Sequence, residues 1–472
     1  MKKINPILRY FYTLISMFRS NIRDYGMYIA LVVICIIFTI LTGGVFLGPI
    51  NFTNLLNQTA YVAVLSVGMT LVIVTRQIDL SVGFLGAYLG SYVVVAVENN
   101  NSPVWWALIS GLIITIVVGA IKGFAIAKIK VPSFVVTLAG MFIFKGLLML
   151  KTSNRTIPTS NAFFNAIGIG YLDSISVGGM DLISLALGLA LILTVVVGSL
   201  FSRHKKTSLG IPNERVEIFA TKITFMAAII IFLTYSLATY KGVSYLLLIT
   251  IIVVAIYFFL TTQTVLGRRI YAVGGNPEAA ELSGISVEKI IIFVFISMGI
   301  LSLISGVMYA SRTQNTSPNH GPFWELYAIA AAYIGGTSAN GGFGKIVNAV
   351  IGSIVIMSLK NGMALAGVDA NIEPIVLGSV LLLAVVFDIY TRNVRGIDMV
   401  GMHYAKKKFK DNLVKAKAAH IKAKAELLQA RKENVDNLLD FEYQYTNATG
   451  ELAKIRESIR SAKEIDYTAI LR

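Results

Sequence analysis

Long apolar runs separated by short polar stretches dominate this chain, and the runs exceed what a water-soluble core needs. Twelve apolar segments stand out, at about 27–47, 52–74, 80–97, 104–128, 133–150, 180–201, 222–240, 243–262, 288–310, 323–340, 344–362 and 372–390. Several, such as "YIALVVICIIFTILTGGVFLG" and "YLLLITIIVVAIYFFLTTQTVLG", reach the roughly 20 residues that cross a bilayer. The pattern predicts an all-α polytopic membrane protein of about 10–12 transmembrane helices, some of them broken or re-entrant.

Two segments read as poor helices. "RQIDLSVGFLGAYLG" and "AAYIGGTSANGGFGK" are Gly-rich and carry polar residues. Irregular backbone at membrane depth survives only inside a protein bundle or beside a water-filled cavity. Such breaks suit a transport path, and close helix packing through small residues suits them equally.

Beyond residue 395 the pattern changes. "AKKKFKDNLVKAKAAHIKAKAELLQARKENVDNLLDFEYQY" is charged, Ala-rich and free of Gly and Pro, so 396–472 should form a soluble helical tail. Ile421, Leu428, Val435 and Leu438 fall at heptad spacing, as do Leu452, Ile455, Ile459 and Ala462 after a break at "TNATG". That suits a helical hairpin or coiled coil; an exposed tail fits the same charges.

Composition sharpens this picture. Hydrophobic residues make up 56% of the 472 residues and charged ones 14%, against roughly 25% charged in soluble domains. The net charge of +16 does not call for nucleic acid, because Lys and Arg collect on the cytoplasmic side of membrane segments. With the basic stretch 1–26 placed in the cytoplasm, the inside loops hold Arg76, Lys128, Lys130, Arg203, Lys205, Lys206, Arg215, Arg268, Arg269, Lys345, Arg392 and Arg395. The outside loops hold only Lys151, Arg155, Lys241 and Arg312. Both termini are therefore expected in the cytoplasm. Residues 1–26 lack the form of a cleavable signal, and the single cysteine, Cys35, excludes an intrachain disulfide.

Candidate chemistry is sparse. "GGTSANGGFGK" resembles a phosphate-cradling loop at a glance, but Ala339 and Ile346 stand where that loop needs Gly and Ser or Thr. His204, His320, His403 and His420 lack metal-ligand spacing, and no catalytic set is visible. We expect no metal site, no catalytic residues and no cofactor on this chain. Asp79 in "IDLSVG" is either a functional acid at membrane depth or a cap for the helix that follows, taking N–H groups near Ser81 and Val82. Glu325 and Glu373 pose the same question near the outer surface, with a solvated loop residue as the alternative.

"GGNPEAAELSGI", Gly274 to Ile285, follows Arg268 and Arg269 and so falls inside. Pro277 suits a first helical turn, Asn276 its cap, and Glu278 the electropositive end. Gly284 would terminate the helix. Local chemistry alone also permits a mere connecting turn.

At this point a resemblance enters. "EAAELSG" fits the Glu-Ala-Ala-x-x-x-Gly pattern of the cytoplasmic loop in permease subunits of ABC importers, and "GRRIYAVGGNPEAAELSGI" resembles that loop in ribose/xylose-type sugar permeases. "GMTLVIVTRQIDLSVG", "VPSFVVTLAGMFIFKGL", "ELYAIAAAYIGGTSANGG" and "NGMALAGV" are similar to the family's other blocks, in the same order, over about 27–395. The resemblance implies a permease domain whose loop 264–287 forms a coupling helix on a separate ATPase subunit. Gly275, Asn276, Glu278, Ala279, Ala280, Ser283 and Gly284 would form the contact surface. It further implies a second permease copy (a homodimer), an extracellular sugar-binding protein, lipid around the spans, a bacterial plasma-membrane location, and ATP hydrolysis on the partner rather than here. Asp79, Ser81, Gly335, Gly336 and Thr337 would line or support the sugar path.

Departures accompany the likeness. Arg76-Gln77 stands where relatives commonly have Gly-Gly, and Tyr327 where they often have an acid. The stretch 202–242 is longer than in ribose permeases and looks like the xylose or multiple-monosaccharide branch; the tail is outside the pattern. Xylose, galactose and arabinose are the sugars this suggests. Two other classes remain, an ion-coupled secondary sugar transporter and a membrane scaffold with a partner-recruiting tail.

Overall fold

Proline and short polar side chains set where the membrane helices begin. Pro49 opens one helix at its first position, and Pro103 and Pro132 immediately precede two more, positions where a missing N–H costs nothing. Asn161, Asp181, Ser244, Thr264 and Ser286 each accept a backbone N–H at a helix start through the side chain.

The computed structural model describes residues 22–386, apart from 174 and 210–215, together with 416–429, 431 and 438–464. The helices in order are α1 (Ile22–Leu41), α2 (Pro49–Val74), α3 (Val82–Glu98), α4 (Val104–Ala127), α5 (Ser133–Lys151), α6 (Ala162–Ile169), α7 (Leu182–Ser208), α8 (Val216–Ala238) and α9 (Tyr245–Gln263). Then come α10 (Val265–Gly275), α11 (Pro277–Leu282), α12 (Val287–Thr313), α13 (Trp324–Ile334), α14 (Ile346–Leu365) and α15 (Ala370–Val386). Among the described residues eight helices are long and apolar enough to cross a membrane, and α1, α3 and α15 are shorter apolar helices. The chain is thus an all-α polytopic membrane protein.

Both expected breaks are present. Residues 75–81 leave the helix between α2 and α3, and the segment at 323–340 is helical only as far as Ile334, giving way to irregular backbone over 335–345. The glycines of the first segment go to close packing. A Cβ on Gly306 of α12 would lie 1.9 Å from the Gly86 oxygen of α3, and one on Gly90 would lie 2.5 Å from the Gly306 oxygen. Only hydrogen fits at this crossing.

α2 forms the axis of the bundle and is buried along nearly its whole length. Around it pack α9, α12, α13 and α14, while α3 packs on α12, α4 closes over α3 and α12, and α5 closes over α3. α8, which lies within the longer stretch foreseen at 202–242, pairs with α7, and α7 turns Leu187, Leu191, Val197 and Phe201 outward. In a bilayer such side chains meet lipid. The loops sort to two ends. At one end the two-residue strands β1 (Ile157–Pro158) and β4 (Asn315–Thr316) pair, the Glu98 carboxylate accepts from Thr159, Ser160 and Asn161, and Tyr171 bridges to Ser244. The hairpin β2 (Ser176–Val177) with β3 (Met180–Asp181) leads into α7. At the other end lie 75–81, α10, α11 and 335–345. This division matches the loops that the basic residues assign to the two sides.

The chain divides into two units, Met1–Asp388 and Ile389–Arg472. Within the second, α16 (416–429) and α17 (Leu438–Glu464) are helical, with Arg431 Nη2 2.8 Å from Glu442 Oε1 and the His420 and Tyr445 rings edge to face. The expected break at "TNATG" is absent, since α17 runs straight through it. Helix propensity there outweighs one Gly450, whose interior cost is about 1 kcal/mol. The heptad frame also differs. Ile421 and Leu428 are 68% and 52% exposed, whereas Ala416, Ala423 and Leu427 are buried; Leu452 is buried, as its heptad position expects. Val435 and the side chains of Ile455, Ile459 and Ala462 lie outside the described residues.

The crossing of α3 and α12 generates a test. Gly306→Ala should cut folded protein recovered in detergent several-fold, by fluorescence-detected gel filtration. Gly198→Ala, where a Cβ meets nothing within 4 Å, should leave recovery unchanged.

Candidate functional site

The "GGNPEAAELSGI" stretch folds as two helices in succession with one residue between them. Asn276 ends α10, its N–H bonding to the Ala272 oxygen, and starts α11, its Oδ1 accepting from Ala279 N at 3.0 Å. Pro277 takes the first position and Glu278 the electropositive first turn. Ser283 Oγ donates back to the Ala279 oxygen at 2.8 Å, and Gly284 takes φ +78°, which an L side chain rarely adopts. A six-residue helix has little intrinsic stability; both of its ends are held by named groups.

Gly275, Asn276, Glu278, Ala279, Ser283 and Gly284 are exposed. Ala280 is not. It is 5% exposed and packs into the bundle, so here it seats α11 on its own chain. The face that α11 offers outward centres on Leu282, 91% exposed, which sequence reasoning passed over. A leucine so bare at the tip of a capped helix suits an apolar pocket on a partner. Beside α11 opens a cleft of about 320 Å³ lined by Arg76, Lys130, Pro277 and Val287 among others.

The second part of the site is the break at 75–81. Asp79 is fully buried: Oδ1 accepts from Ser81 N at 2.9 Å and Ser81 Oγ at 2.6 Å, and Oδ2 lies 2.7 Å from Lys122 Nζ on α4. Lys122 also donates to Ser81 Oγ at 2.9 Å. Asp79 therefore does part of what a cap would do, receiving the Ser81 N–H, and in addition neutralises a lysine. Ile78 N donates to Ser133 Oγ, and Thr137 Oγ1 to the Ile78 oxygen, each at 3.3 Å, so α5 takes up backbone groups that the unwound turn frees. Lys122 was legible in principle. It lies in the interior of the run 104–128, whose other lysine, Lys128, closes it, and an intramembrane charge needs a partner.

Gly335, Gly336 and Thr337 turn elsewhere. Gly335 presses on Asn348 of α14, Gly336 takes φ +82°, and Thr337 is buried with its backbone N–H on the Ala332 oxygen. Asp79 and Ser81 face α4 and α5, so the structure does not set these two groups face to face within one chain. Residues 335–345 meet the end of α2 instead. Gly342 N donates to the Val74 oxygen at 2.9 Å, and Tyr271 of α10 donates through its hydroxyl to the Gly344 oxygen at 2.6 Å. A Cβ on Gly274 would sit 1.8 Å from the Val74 oxygen, so only glycine permits this approach of α10 to α2.

At the opposite end neither Glu325 nor Glu373 is fully solvated. Glu325 is buried in the first turn of α13, and Glu373 Oε1 accepts from Tyr327 at 2.6 Å and from Lys360 at 2.7 Å. Glu373 thus supplies a carboxylate beside Tyr327. Burial pushes His320, in the loop before α13, down to about 4. Its neutral ring thus supports the fold fully above the ordinary histidine pKa and less as pH falls towards 4.

The Asp79–Lys122 pair carries its own prediction. Removing one partner of a buried pair leaves an uncompensated charge and costs about 3–5 kcal/mol. Asp79→Asn or Lys122→Met alone should lower the melting temperature of the detergent-solubilised protein sharply. Asp79→Asn with Lys122→Met should recover most of that loss.

Comparison with known proteins bears on what this site serves. Residues 51–385 match the family model described as branched-chain amino acid transport system / permease component. The chain is 36% identical to the xylose transport system permease protein XylH of Haemophilus influenzae, over 78% of this chain and 96% of that protein. It is 38% identical to XylH of Escherichia coli K12, over 79% and 93%, and 33% identical to the ribose import permease protein RbsC of Bacillus subtilis, over 79% and 94%. No solved structure matches the chain. The matched span takes in the bundle from α2 to α15 with both breaks and α11, and the chain belongs to the branched-chain amino acid transport system / permease component family.

Proposed function

We propose that this chain is the membrane-spanning permease subunit of an ATP-driven monosaccharide importer, and that α11 docks into a separate ATPase subunit. The observation that carries the docking is α11 itself, a short helix capped at both ends, seated by Ala280 and offering Leu282 outward between two membrane helices. A rigid element of this kind transmits displacement, where a flexible turn would absorb it. ATP is bound and hydrolysed by the partner. Sugar arrives from an extracellular binding protein, and two permease copies open a shared path alternately to either side. Both termini and α11 lie in the cytoplasm on this reading, in keeping with the distribution of Lys and Arg.

The likeness to xylose and ribose permeases favours a pentose, with xylose first. The environment of Asp79 favours ATP-driven over ion-coupled transport, since a carboxylate held by Lys122 and Ser81 is not free to take up and release an ion.

Uptake of labelled xylose, galactose and arabinose, in cells holding this permease with the ATPase and binding protein encoded beside it, tests the reading. Leu282→Glu, and separately Gly284→Arg, should abolish uptake and co-purification of the ATPase while membrane levels hold. Undiminished uptake with an intact complex would reduce α11 to a connecting turn.

A further inference from the structure

The importer reading says where force enters this subunit but not how it reaches the membrane segments. Arg76 is the feature that function has not yet absorbed. It sits at φ +62°, in a backbone region that favours glycine, one residue past the cap of α2. Its Nε donates to the Gly274 oxygen at 2.7 Å and its Nη2 to the Gly275 oxygen. Those are the last two carbonyls of α10, which have no partner within their own helix. They also form the negative end of its dipole, which a cation favours. Two donors held in one plane meet two adjacent acceptors, a fit that a lysine ammonium does not reproduce.

The geometry points to Arg76 as the link that transmits movement of the docking helix to the interrupted segment between α2 and α3. This rests on the importer reading and deepens it. Gly275 is separated from α11 by Asn276 alone, so a displaced α11 carries the Gly274 and Gly275 carbonyls with it. Arg76 is fastened to them and lies three residues before Asp79, whose carboxylate is tied to Lys122 of α4 and to Ser81 at the start of α3. Movement therefore passes from α11 through the guanidinium into 75–81, and from there into α3 and α4. The neighbouring contacts stiffen the joint. Gly342 N is bonded to the Val74 oxygen, and a Cβ on Gly341 would fall 2.4 Å from Arg76 Cγ, so the loop 335–345 lies directly against the arginine stem. Without the guanidinium, α10 would still touch α2 through Gly274, but its hydrogen-bonded route to the end of α2 would run only indirectly, through Tyr271 to Gly344 and from Gly342 to the Val74 oxygen. Arg76 is a positioning residue; it is assigned no contact with sugar or nucleotide.

The test uses the assembled transporter in liposomes, permease with its ATPase and binding protein, with xylose as the probe. Arg76→Gly relieves the backbone and deletes the guanidinium, and Arg76→Lys keeps the charge but loses the fork. Both should assemble with the ATPase and melt as the wild type does. Xylose moved per ATP hydrolysed should fall about five- to ten-fold in Arg76→Gly, the low end of typical coupling between sites, and less in Arg76→Lys. An unchanged ratio in Arg76→Gly overturns the proposal. So does a parallel loss of complex, melting temperature and uptake, which would make Arg76 a plain structural contact. A wild-type chain that recruits no ATPase overturns the importer reading itself, and the link with it.

Discussion

Backbone N–H and C=O groups freed where a helix ends must find partners once they are buried, and this constraint governs where the bundle can be irregular. The chain leaves the helix at 75–81 and again at 335–345, and it does so where the two irregular stretches serve each other. The Val74 oxygen, freed as α2 ends, accepts from Gly342 N, and the oxygens that close α10 accept from Arg76. Neither stretch would be tolerable alone. Their mutual satisfaction places three chain segments, far apart in sequence, at a single joint beside the one element that stands out from the bundle, α11.

The Asp79–Lys122 pair follows from the same constraint on the charged side. A carboxylate and an ammonium in this setting survive only as a pair with their remaining hydrogen bonds filled, and Ser81 fills one on each partner. The pair also fixes geometry, because it pins the unwound turn to α4 while Ser133 and Thr137 pin it to α5. The break is consequently a defined shape with few ways to relax, which is what a hinge between α2 and α3 requires if movement is to have a direction.

Much of this was legible because it is local. Apolar runs gave the spans, Gly and polar clusters gave the breaks, and the Asn276-Pro277-Glu278 order gave α11 with its caps. What escaped depends on facing. Ala280 and Leu282 are two residues apart on a short helix, and spacing alone does not say which turns to the bundle; here the small one is seated and the large one bared. In the tail, heptad counting chose Ile421 and Leu428, while packing chose Ala416, Ala423 and Leu427, a neighbouring face of the same helix that periodicity alone does not distinguish. Lys122 was hidden by the habit of reading an apolar run as uniformly lipid-facing, and Glu325 by its nearness to a loop. Arg76 was visible as a departure from its relatives, but its acceptors lie some 200 positions on, at Gly274 and Gly275.

The two kinds of glycine in this chain divide the labour accordingly. On the α3–α12 crossing, glycines bring helix backbones together within the bundle and make it hard to deform. At Gly274 and Gly342 they bring backbones of separate segments together without interlocking side chains, which leaves a joint that can shift as a unit once something grips it. A bundle that is stiff within and articulated at its edge needs that grip to come from directional bonds, because dispersion between bare backbones resists separation but not sliding. The guanidinium fork on the Gly274 and Gly275 oxygens is directional in that sense, and the capped ends of α11 are its counterpart on the partner side. Rigidity at the helix, directionality at the joint and a pinned turn beyond it are three conditions for a push on α11 to end as a defined movement of α3 and α4.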